Sequence, residues 1–410
     1  MVTDPADWQS KTIADVASII QGGTPSTLIR EYWDGGITWV TPTDITGLRG
    51  MRISKSARTI SQLGLDNSPA VLLPANTILL CSRATIGALA LSMTQMATNQ
   101  GFKNLICKAG VDPAFLAYAL STKKEEMLRL SIGTTFLEIS KSNLAQIVLR
   151  MPPFLEQCAI AEVLSGFDEH LANLDELIAK KKEIRDGALE ELVTGHTRIA
   201  DYREPWVKIS FEERIQPKAR IGWQGLKAEE YLPMGYSYLI GGTDFDSGTI
   251  GFENISFVSR ARYELDPYIQ VRPGDVLVTK DGTIGKVARV PQMNKPATLN
   301  SGVFVFRPNA GLGREFLYWV LMSPVFERFI STLAAGSTIK HLYQKNLKEF
   351  TFMAPPSLSE QTAIAEILFD VSEEIRLLEE ERAKVELLKL GAMDDLLTGC
   401  VRLPMEEEAA

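Results

Sequence analysis

Two long stretches of the chain repeat apolar residues at alternating spacings of four and three, on a background that is mostly charged. In the first stretch they are Ile160, Leu164, Phe167, Leu171, Leu174 and Ile178; in the second they are Ile364, Leu368, Val371, Ile375 and Leu378, continued by Val385 and Leu388. This pattern is typical of a helix with a narrow apolar seam, as in a coiled coil. A helix from about 156 to 193 would be roughly 57 Å long.

Prolines precede both predicted helices and glycines follow them: Pro152-Pro153 and Pro355-Pro356 before, Gly195 and Gly399 after. Proline cannot continue a strand ladder, and glycine is the common residue just past a helix end. Ser357 and Glu360 form a capping-box pattern at the start of the second helix. Such a seam needs a partner stripe, and the nearest is the other helix. The alternative is that each helix folds back on its own domain.

The remaining blocks mix short strand-like runs with glycine-rich turns. The runs are Ile37 to Val40, Thr77 to Leu80, Asn104 to Cys107, Val276 to Thr279 and Val303 to Phe306. One helix is predicted in each block, Pro113 to Arg129 and Arg314 to Thr332, with phenylalanine and leucine on its apolar face. Each block is therefore predicted to be a compact α+β domain followed by a long helix.

The second half of the chain repeats the first. Matching residues are Trp8 and Trp206, Pro74 and Pro273, Asn99 and Asn300, Gly101 and Gly302, Phe115 and Phe316, Gly133 and Gly336, and the two proline pairs. Their offset stays between 198 and 204, and residues 156–199 align on 360–403 without a gap, with 18 of 44 positions identical. Such collinearity indicates a duplicated unit and a pseudo-two-fold protein with two similar sites.

Composition narrows the class of protein. The 410 residues are enough for two domains with cores of their own, and no apolar run reaches membrane-spanning length. Asp4 and Asp7 stand where a signal peptide would carry basic residues, and the four cysteines form no CxxC pair. We expect a cytoplasmic protein with free thiols.

The net charge of −8 is unevenly distributed. Residues 1–150 carry +3, 151–204 carry −6, 205–353 carry +4 and 354–410 carry −9. Regional charge steers a polyanion more than total charge does. The two basic blocks are therefore candidates to face DNA, and the acidic helices are candidates to face protein or solvent.

Several motifs resemble the DNA specificity subunit of type I restriction-modification enzymes. The opening of its recognition domain is matched by Gly22 to Ser26, Tyr32-Trp33, Ile37 to Pro42 and Asp44-Ile45, and later parts by Arg83 to Gly87 with Gly282 to Lys286, Asn99 to Gly101, and Gly133 to Lys141. Its conserved regions are matched by Pro152-Pro153, Glu156-Gln157 and Ile160-Ala161, and by their copies Pro355-Pro356, Ser359 to Gln361 and Ile364-Ala365. The second domain lacks the Gly-Gly-Thr-Pro-Ser opening, and Gly241 to Asp244 lies where the first has Val40 to Pro42.

The resemblance implies an α+β fold with two target recognition domains and two long helices that form an antiparallel coiled coil. The implied boundaries are 1–151 and 200–353 for the recognition domains, 152–199 and 354–403 for the helices, and 404–410 for an acidic tail. Each domain would read one half of a split, asymmetric DNA target. The coil would set the spacer and bind two methylation subunits, which use S-adenosylmethionine. Restriction subunits with ATP and Mg²⁺ would complete the enzyme.

Catalytic motifs are absent from the sequence. Met151-Pro152-Pro153-Phe154 lacks the Asn or Asp that an amino-methyltransferase needs before its prolines, and no GxxxxGK[ST] phosphate loop occurs. The three histidines, His170, His196 and His341, are too scattered to suggest a metal site or a triad. We expect a non-enzymatic subunit without a cofactor or metal of its own. A coiled-coil scaffold and an enzyme with an unrecognised site are the rival hypotheses.

The candidate DNA contacts are basic and amide side chains of the two domains, because Arg and Lys bind phosphates or guanine and Asn and Gln read adenine. In the first domain they are Arg49, Arg52, Lys55, Arg58, Arg83, Gln100, Lys103 and Lys141; in the second they are Arg260, Arg262, Lys280, Lys286, Arg289, Lys295 and Lys340. The alternative for each is a solvated surface charge.

Overall fold

The computed structural model describes residues 7–48, 50–133, 137–221, 225–335 and 341–403. The predicted acidic tail, 404–410, lies outside these residues. The chain forms two compact units: unit 1 is Met1–Ile178 with Leu378–Ala410, and unit 2 is Ala179–Leu377. Each unit therefore contains one α+β domain and a segment of both long helices.

The α+β domain of unit 1 has ten strands and six short helices among the described residues. They are β1 (Gln9–Thr12), α1 (Ile13–Val16), β2 (Ala17–Gln21), β3 (Trp33–Val40), α2 (Pro42–Thr46), β4 (Arg52–Ile53), β5 (Arg58–Ile60), α3 (Gln62–Asp66), β6 (Ile78–Cys81), β7 (Leu89–Ser92), β8 (Ala97–Thr98), β9 (Phe102–Cys107), α4 (Pro113–Ser121), α5 (Lys124–Arg129), α6 (Lys141–Gln146) and β10 (Val148–Met151).

The strands of this domain form a five-stranded sheet, β2-β9-β6-β7-β4, a three-stranded sheet, β5-β3-β8, and the antiparallel pair β1-β10. Pairing is antiparallel except for β4 with β7 and β3 with β8. All four residues of β6 are buried, as expected for a central strand covered on both faces. Helix α4 packs its buried Phe115, Leu116 and Leu120 into the same core as Ile78 and Leu80.

Unit 2 repeats this arrangement. Its elements are β11 (Val207–Ser210), α8 (Phe211–Arg214), β12 (Ile215–Ala219), β13 (Ser237–Ile240), β14 (Phe245–Asp246), β15 (Thr249–Ile250), β16 (Ser256–Val258), α9 (Arg260–Glu264), β17 (Gln270–Val271), β18 (Val276–Thr279), β19 (Val287–Arg289), β20 (Ala297–Leu299), β21 (Val303–Pro308), α10 (Arg314–Met322), α11 (Pro324–Ala335), α12 (Gln344–Leu347) and β22 (Thr351–Ala354).

The sheet orders of unit 2 are β12-β21-β18-β19, β16-β13-β20-β17 and β14-β15, with β11 pairing antiparallel to β22. The first order matches β2-β9-β6-β7 of unit 1 strand for strand, and β16-β13-β20 matches β5-β3-β8. The sequence repeat is therefore also a repeat of topology.

The two long helices are α7 (Phe154–Thr194) and α13 (Leu358–Thr398), each of 41 residues, and they pair antiparallel within both units. In unit 1, Asp168 accepts a hydrogen bond from Lys389 (2.5 Å) and Asp175 accepts one from Arg382 (2.7 Å). In unit 2, Lys181 donates to Glu374 (2.5 Å). In these pairs the residue numbers increase along α7 while those of their partners decrease along α13, which confirms the predicted antiparallel coil.

The predicted seam needs correction at one end. Leu388 is 53% exposed, and Ala392, Met393 and Leu396 instead face the core of unit 1. The stripe shifts because the last turns of α13 pack on the α+β domain as well as on α7. Ile160 and Leu164, at the start of α7, belong to the same core. The helices therefore pair with each other and also fold onto their domains.

Each predicted domain helix is in fact two helices. The first ends at Ser121 and resumes at Lys124, and the second ends at Met322 and resumes at Pro324. Pro324 has no N–H to continue the hydrogen-bond ladder, and the hydroxyl of Ser323 accepts from Val325 N (3.3 Å) to begin the next helix. Among the described residues, no helix is long and apolar enough to cross a bilayer.

Candidate nucleic-acid interface

The same three-residue clasp fixes each α+β domain to the long helices. In unit 1, Glu156 accepts hydrogen bonds from Trp8 Nε1 (3.2 Å) and from the guanidinium of Arg402 (2.7 Å). In unit 2, Glu360 accepts from Trp206 Nε1 (3.2 Å) and from Arg198 Nε (2.8 Å). Both carboxylates are buried. Glu360 was predicted to complete a capping box; Ser357 does accept from Glu360 N (3.5 Å), but the carboxylate turns to the clasp.

A glutamine next to each clasp makes a second repeated anchor. Gln157 donates from Nε2 to Pro152 O (2.9 Å) and accepts at Oε1 from Asp112 N (3.0 Å). Gln361 donates to Pro355 O (2.8 Å) and accepts from Gly313 N (2.6 Å). The helix starts are thus locked to the domains by paired polar contacts, so the loops of each domain have a fixed support.

In the first domain, loops from distant parts of the chain meet at the end of β3 and at the turn between β8 and β9. Gln21 Nε2 donates to Gln100 O (2.8 Å), and the hydroxyl of Thr24 donates to Gln100 Oε1. A side chain at Gly22 would place its Cβ 2.0 Å from Asn99 O, so the close approach of the two loops requires glycine. This loop cluster carries amide and hydroxyl groups that suit base edges.

The second domain keeps the asparagine of the corresponding turn but surrounds it with different side chains. Asn300 N donates to Ile240 O (2.8 Å), as Asn99 N does to Val40 O (3.0 Å). The Asn300 side-chain oxygen accepts from Ser301 N (2.7 Å) and from the hydroxyl of Tyr231 (3.2 Å). Asp244 accepts from Gly241 N (2.7 Å), and burial raises the pKa of this carboxyl.

Most of the predicted contacts of the first domain are exposed or partly exposed. Arg52, Lys55 and Lys141 are exposed, and Gln100 belongs to the loop cluster. Arg83 lies beside Gly101 of that cluster, with its Nε 3.4 Å from where a Cβ at Gly101 would stand. The guanidinium of Arg58 lies 3.8 Å from the ring centroid of Trp33. Lys103 differs: its side chain is 6% exposed and its ammonium lies 2.8 Å from Glu138. An ammonium that is buried and already paired is not free to bind a phosphate, so we do not retain Lys103 as a DNA contact.

The predicted contacts of the second domain fall into three kinds. Lys286 is exposed. Arg260, Arg262 and Lys295 are tied to Glu264 (2.7 Å), Glu230 (3.1 Å) and Gly235 O (3.1 Å) respectively, and the bond to Glu264 raises the pKa of Arg260. Lys280 and Arg289 lie over aromatic rings, 5.8 Å from Phe304 and 4.6 Å from Phe369. Arg49 and Lys340 lie outside the described residues.

Two residues that were not among the predicted DNA contacts, Asp281 and His341, lie beside the second loop cluster. His341 Nδ1 lies 2.6 Å from Asp281 Oδ1, and both side chains are partly exposed. Asp281 follows a buried strand as Arg83 does, and this equivalence in the repeat was the available signal. Within the described ranges, no three His, Cys, Asp or Glu residues are grouped as a metal site.

Two repeated α+β domains, each with a cluster of polar loops and each clasped to a pair of antiparallel long helices, define a two-domain recognition protein. The model of the type I restriction modification DNA specificity domain matches residues 5–184 and 201–387. The chain therefore belongs to this family, and DNA target recognition is favoured over the scaffold alternative.

Named relatives agree with this assignment. The MjaIX specificity subunit of Methanocaldococcus jannaschii is 40% identical over 171 residues, which span 41% of this chain and 40% of that protein. The MjaVIII specificity subunit of the same organism is 25% identical over 97% of this chain and 94% of its own length. The crystal structure of a type I restriction-modification S subunit from M. genitalium covers 99% of this chain and 98% of its own with a TM-score of 0.65 at 20% identity, and so shares the fold.

Proposed function

We propose that each recognition domain reads one half of a bipartite, asymmetric DNA target, and that the paired long helices set the gap between the half-sites. The observation that carries this proposal is a repeated scaffold with unlike loops. Strand order, clasp and glutamine anchor recur in both domains, while the loop clusters carry Thr24 and Gln100 in one and Tyr231 and Ser301 in the other. Two recognition domains that are supported in the same way but carry different loop side chains suit a DNA target whose two halves differ in sequence.

The division of labour within a domain follows the chemistry of the duplex. Exposed lysines and arginines such as Lys55, Lys141 and Lys286 bind phosphates and fix the register, because phosphate contacts carry no sequence information. Loop-cluster side chains such as Arg83 and Gln100 read base edges, where donor and acceptor patterns differ between base pairs.

The long helices also bind two methylation subunits. Support comes from apolar side chains on the helix faces that the coil leaves exposed. In unit 1 these include Val163 (37% exposed) and Leu388 (53%); in unit 2 they include Ile367 (41%) and Ile184 (50%). Val163 and Ile367 are equivalent in the repeat, as are Ile184 and Leu388, so each unit presents one copy of the same apolar pair. One methylation subunit bound to each unit covers the exposed apolar pair of that unit.

This chain performs no chemistry of its own in the proposed complex. The methylation subunits bind S-adenosylmethionine and modify adenine, and restriction subunits, where they are present, use ATP and Mg²⁺. The chain contributes position and specificity, so loss of a reading residue changes where methylation occurs before it changes the chemistry of transfer.

Reconstitution with methylation subunits tests the proposal. The complex should methylate adenines in a split, asymmetric sequence, and neither component alone should do so. Val163→Glu should reduce the number of bound methylation subunits from two to one, as should Ile367→Glu, and the double variant should bind none; light scattering counts them. Leu28→Glu, at a residue 94% exposed in the first domain, is the control and should keep both. Full stoichiometry in the double variant would rule out this docking face.

A further inference from the structure

Arg83 and Asp281 occupy equivalent positions in the two domains. Each comes two residues after the end of a buried strand, β6 or β18, and each forms an isolated antiparallel bridge, Arg83 with Glu138 and Asp281 with His341.

The backbone around the two positions is the same. Ser82 N donates to Gly101 O (2.8 Å) and Lys280 N donates to Gly302 O (2.9 Å). Ile139 N donates to Ser82 O (2.9 Å) and Leu342 N donates to Lys280 O (2.7 Å). Both positions therefore lie beside the glycine of the Asn-x-Gly turn.

The side chains at these positions form a different charge arrangement in each domain. In the first, the ammonium of Lys103 lies 2.8 Å from Glu138 and neutralises it. Among the described residues, the Arg83 guanidinium forms no hydrogen bond or ion pair. In the second, Phe304 occupies the strand position of Lys103. The carboxylate now belongs to Asp281, at the position of Arg83. Its partner is His341, at the position of Glu138, with Nδ1 2.6 Å from Asp281 Oδ1.

We propose that Arg83 and Asp281 are matched base-reading residues that give the two domains different specificities. This inference rests on the proposed function and adds the chemistry of one base in each half-site. An arginine whose guanidinium hydrogen-bonds to no described residue suits the O6 and N7 acceptors of guanine, whereas a carboxylate accepts from the amino group of cytosine.

The second assignment has a physical reason beyond complementarity. A carboxylate at a DNA surface is repelled by phosphates and by bases that present only acceptors, so it discriminates by exclusion as well as by attraction. Asp281 keeps one oxygen on His341 Nδ1, which leaves its other oxygen for a base. Glu138 differs in its partner, because its Oε1 lies 2.8 Å from the buried ammonium of Lys103, which neutralises its charge.

Methylation mapping with the reconstituted complex tests the proposal. Asp281→Arg should change the preferred base at one position of the second half-site from cytosine to guanine, and Asp281→Asn should admit adenine there; both should leave the first half-site unchanged. Arg83→Gln should relax a guanine in the first half-site only. Each preference should change by about tenfold or more, as expected for one lost bidentate or amino contact.

Glu349→Gln, which removes an exposed carboxylate before β22, is the matched control and should leave both half-sites unchanged. An unchanged motif in the Asp281 and Arg83 variants would overturn the inference while leaving the proposed function intact. Equal loss of methylation at all sequences would also overturn the inference, because loss of a phosphate contact or of correct folding produces that result. If the wild-type complex showed no sequence preference at all, the proposed function itself would fail.

Discussion

Removal of Arg402 should destabilise unit 1 by breaking its clasp. The Glu156 side chain is 2% exposed, and Arg402 and Trp8 are its hydrogen-bond donors. Breaking a buried ion pair from one side costs about 3–5 kcal/mol, because an uncompensated charge remains. Arg402 itself is 41% exposed, so water screens part of the interaction, and we expect about 2–3 kcal/mol for Arg402→Ala.

Urea unfolding of the full chain followed by circular dichroism measures this loss. Arg198→Ala removes the equivalent arginine from Glu360 in unit 2 and is the matched comparison. Adding Glu156→Gln to Arg402→Ala should recover much of the stability, because the buried charge is then gone. A loss below about 0.5 kcal/mol in Arg402→Ala would refute the reasoning, since that is the range of surface substitutions.

Arg402 also lowers the pKa of Asp7, chiefly through a side-chain hydrogen bond. A carboxyl whose folded pKa is depressed adds stability that is present above its unfolded pKa and lost as pH falls through the folded pKa. The wild type should therefore lose this contribution below about pH 4, and Arg402→Ala should lack that part of the acid dependence. Equal acid dependence in both proteins would contradict the assignment.

Three further predictions concern assembly and DNA. A fragment ending at Ile199 lacks the end of the second long helix, which carries Leu396 and Arg402 and packs on the first domain. Because Arg198 aligns with Arg402, the end of the first long helix from a second copy can take that place. We therefore expect an isologous dimer that directs methylation to a palindromic site, and a fragment that sediments as a monomer at tens of micromolar would contradict this. The isolated chain should bind DNA weakly, since domains of +3 and +4 act against a total of −8; nanomolar affinity in physiological salt would show otherwise. Duplicating Leu174–Leu177 together with the equivalent 378–381 adds about 6 Å to both antiparallel helices with a rotation of only about 40°. The gap between the half-sites should therefore grow by about one or two base pairs. An unchanged gap in methylation mapping would show that the helices do not set it.

Local patterns in the sequence predicted the elements whose cause is local. The apolar spacing predicted both long helices, and positive φ angles of 74° and 75° at Gly195 and Gly399 confirm their ends. Contacts between distant residues were less predictable. Glu360 turns to Arg198, 162 positions away, and not to its own cap, and Lys103 is buried because Glu138 receives it. A sequence read locally does not show which charge another segment will neutralise.

The repeat was the most useful guide to the site, and its use has a physical basis. Equivalent backbone positions have equivalent surroundings in the two domains. A difference in side chain between them therefore marks a position that the shared fold does not constrain. Arg83 was predicted from its charge, whereas Asp281 was missed because an acidic residue does not suggest DNA binding. The structure links the two through the same bridge and the same glycine turn.

The most direct test of the central claim is methylome sequencing of a host strain with and without this chain. The account predicts adenine methylation in one split motif with two unlike halves and a fixed gap, present only when the chain is expressed. Replacing residues 200–353 with the corresponding domain of a relative should change one half of that motif and leave the other intact. A motif that persists without the chain, or one in which both halves change together, would contradict the claim that each domain reads its own half-site.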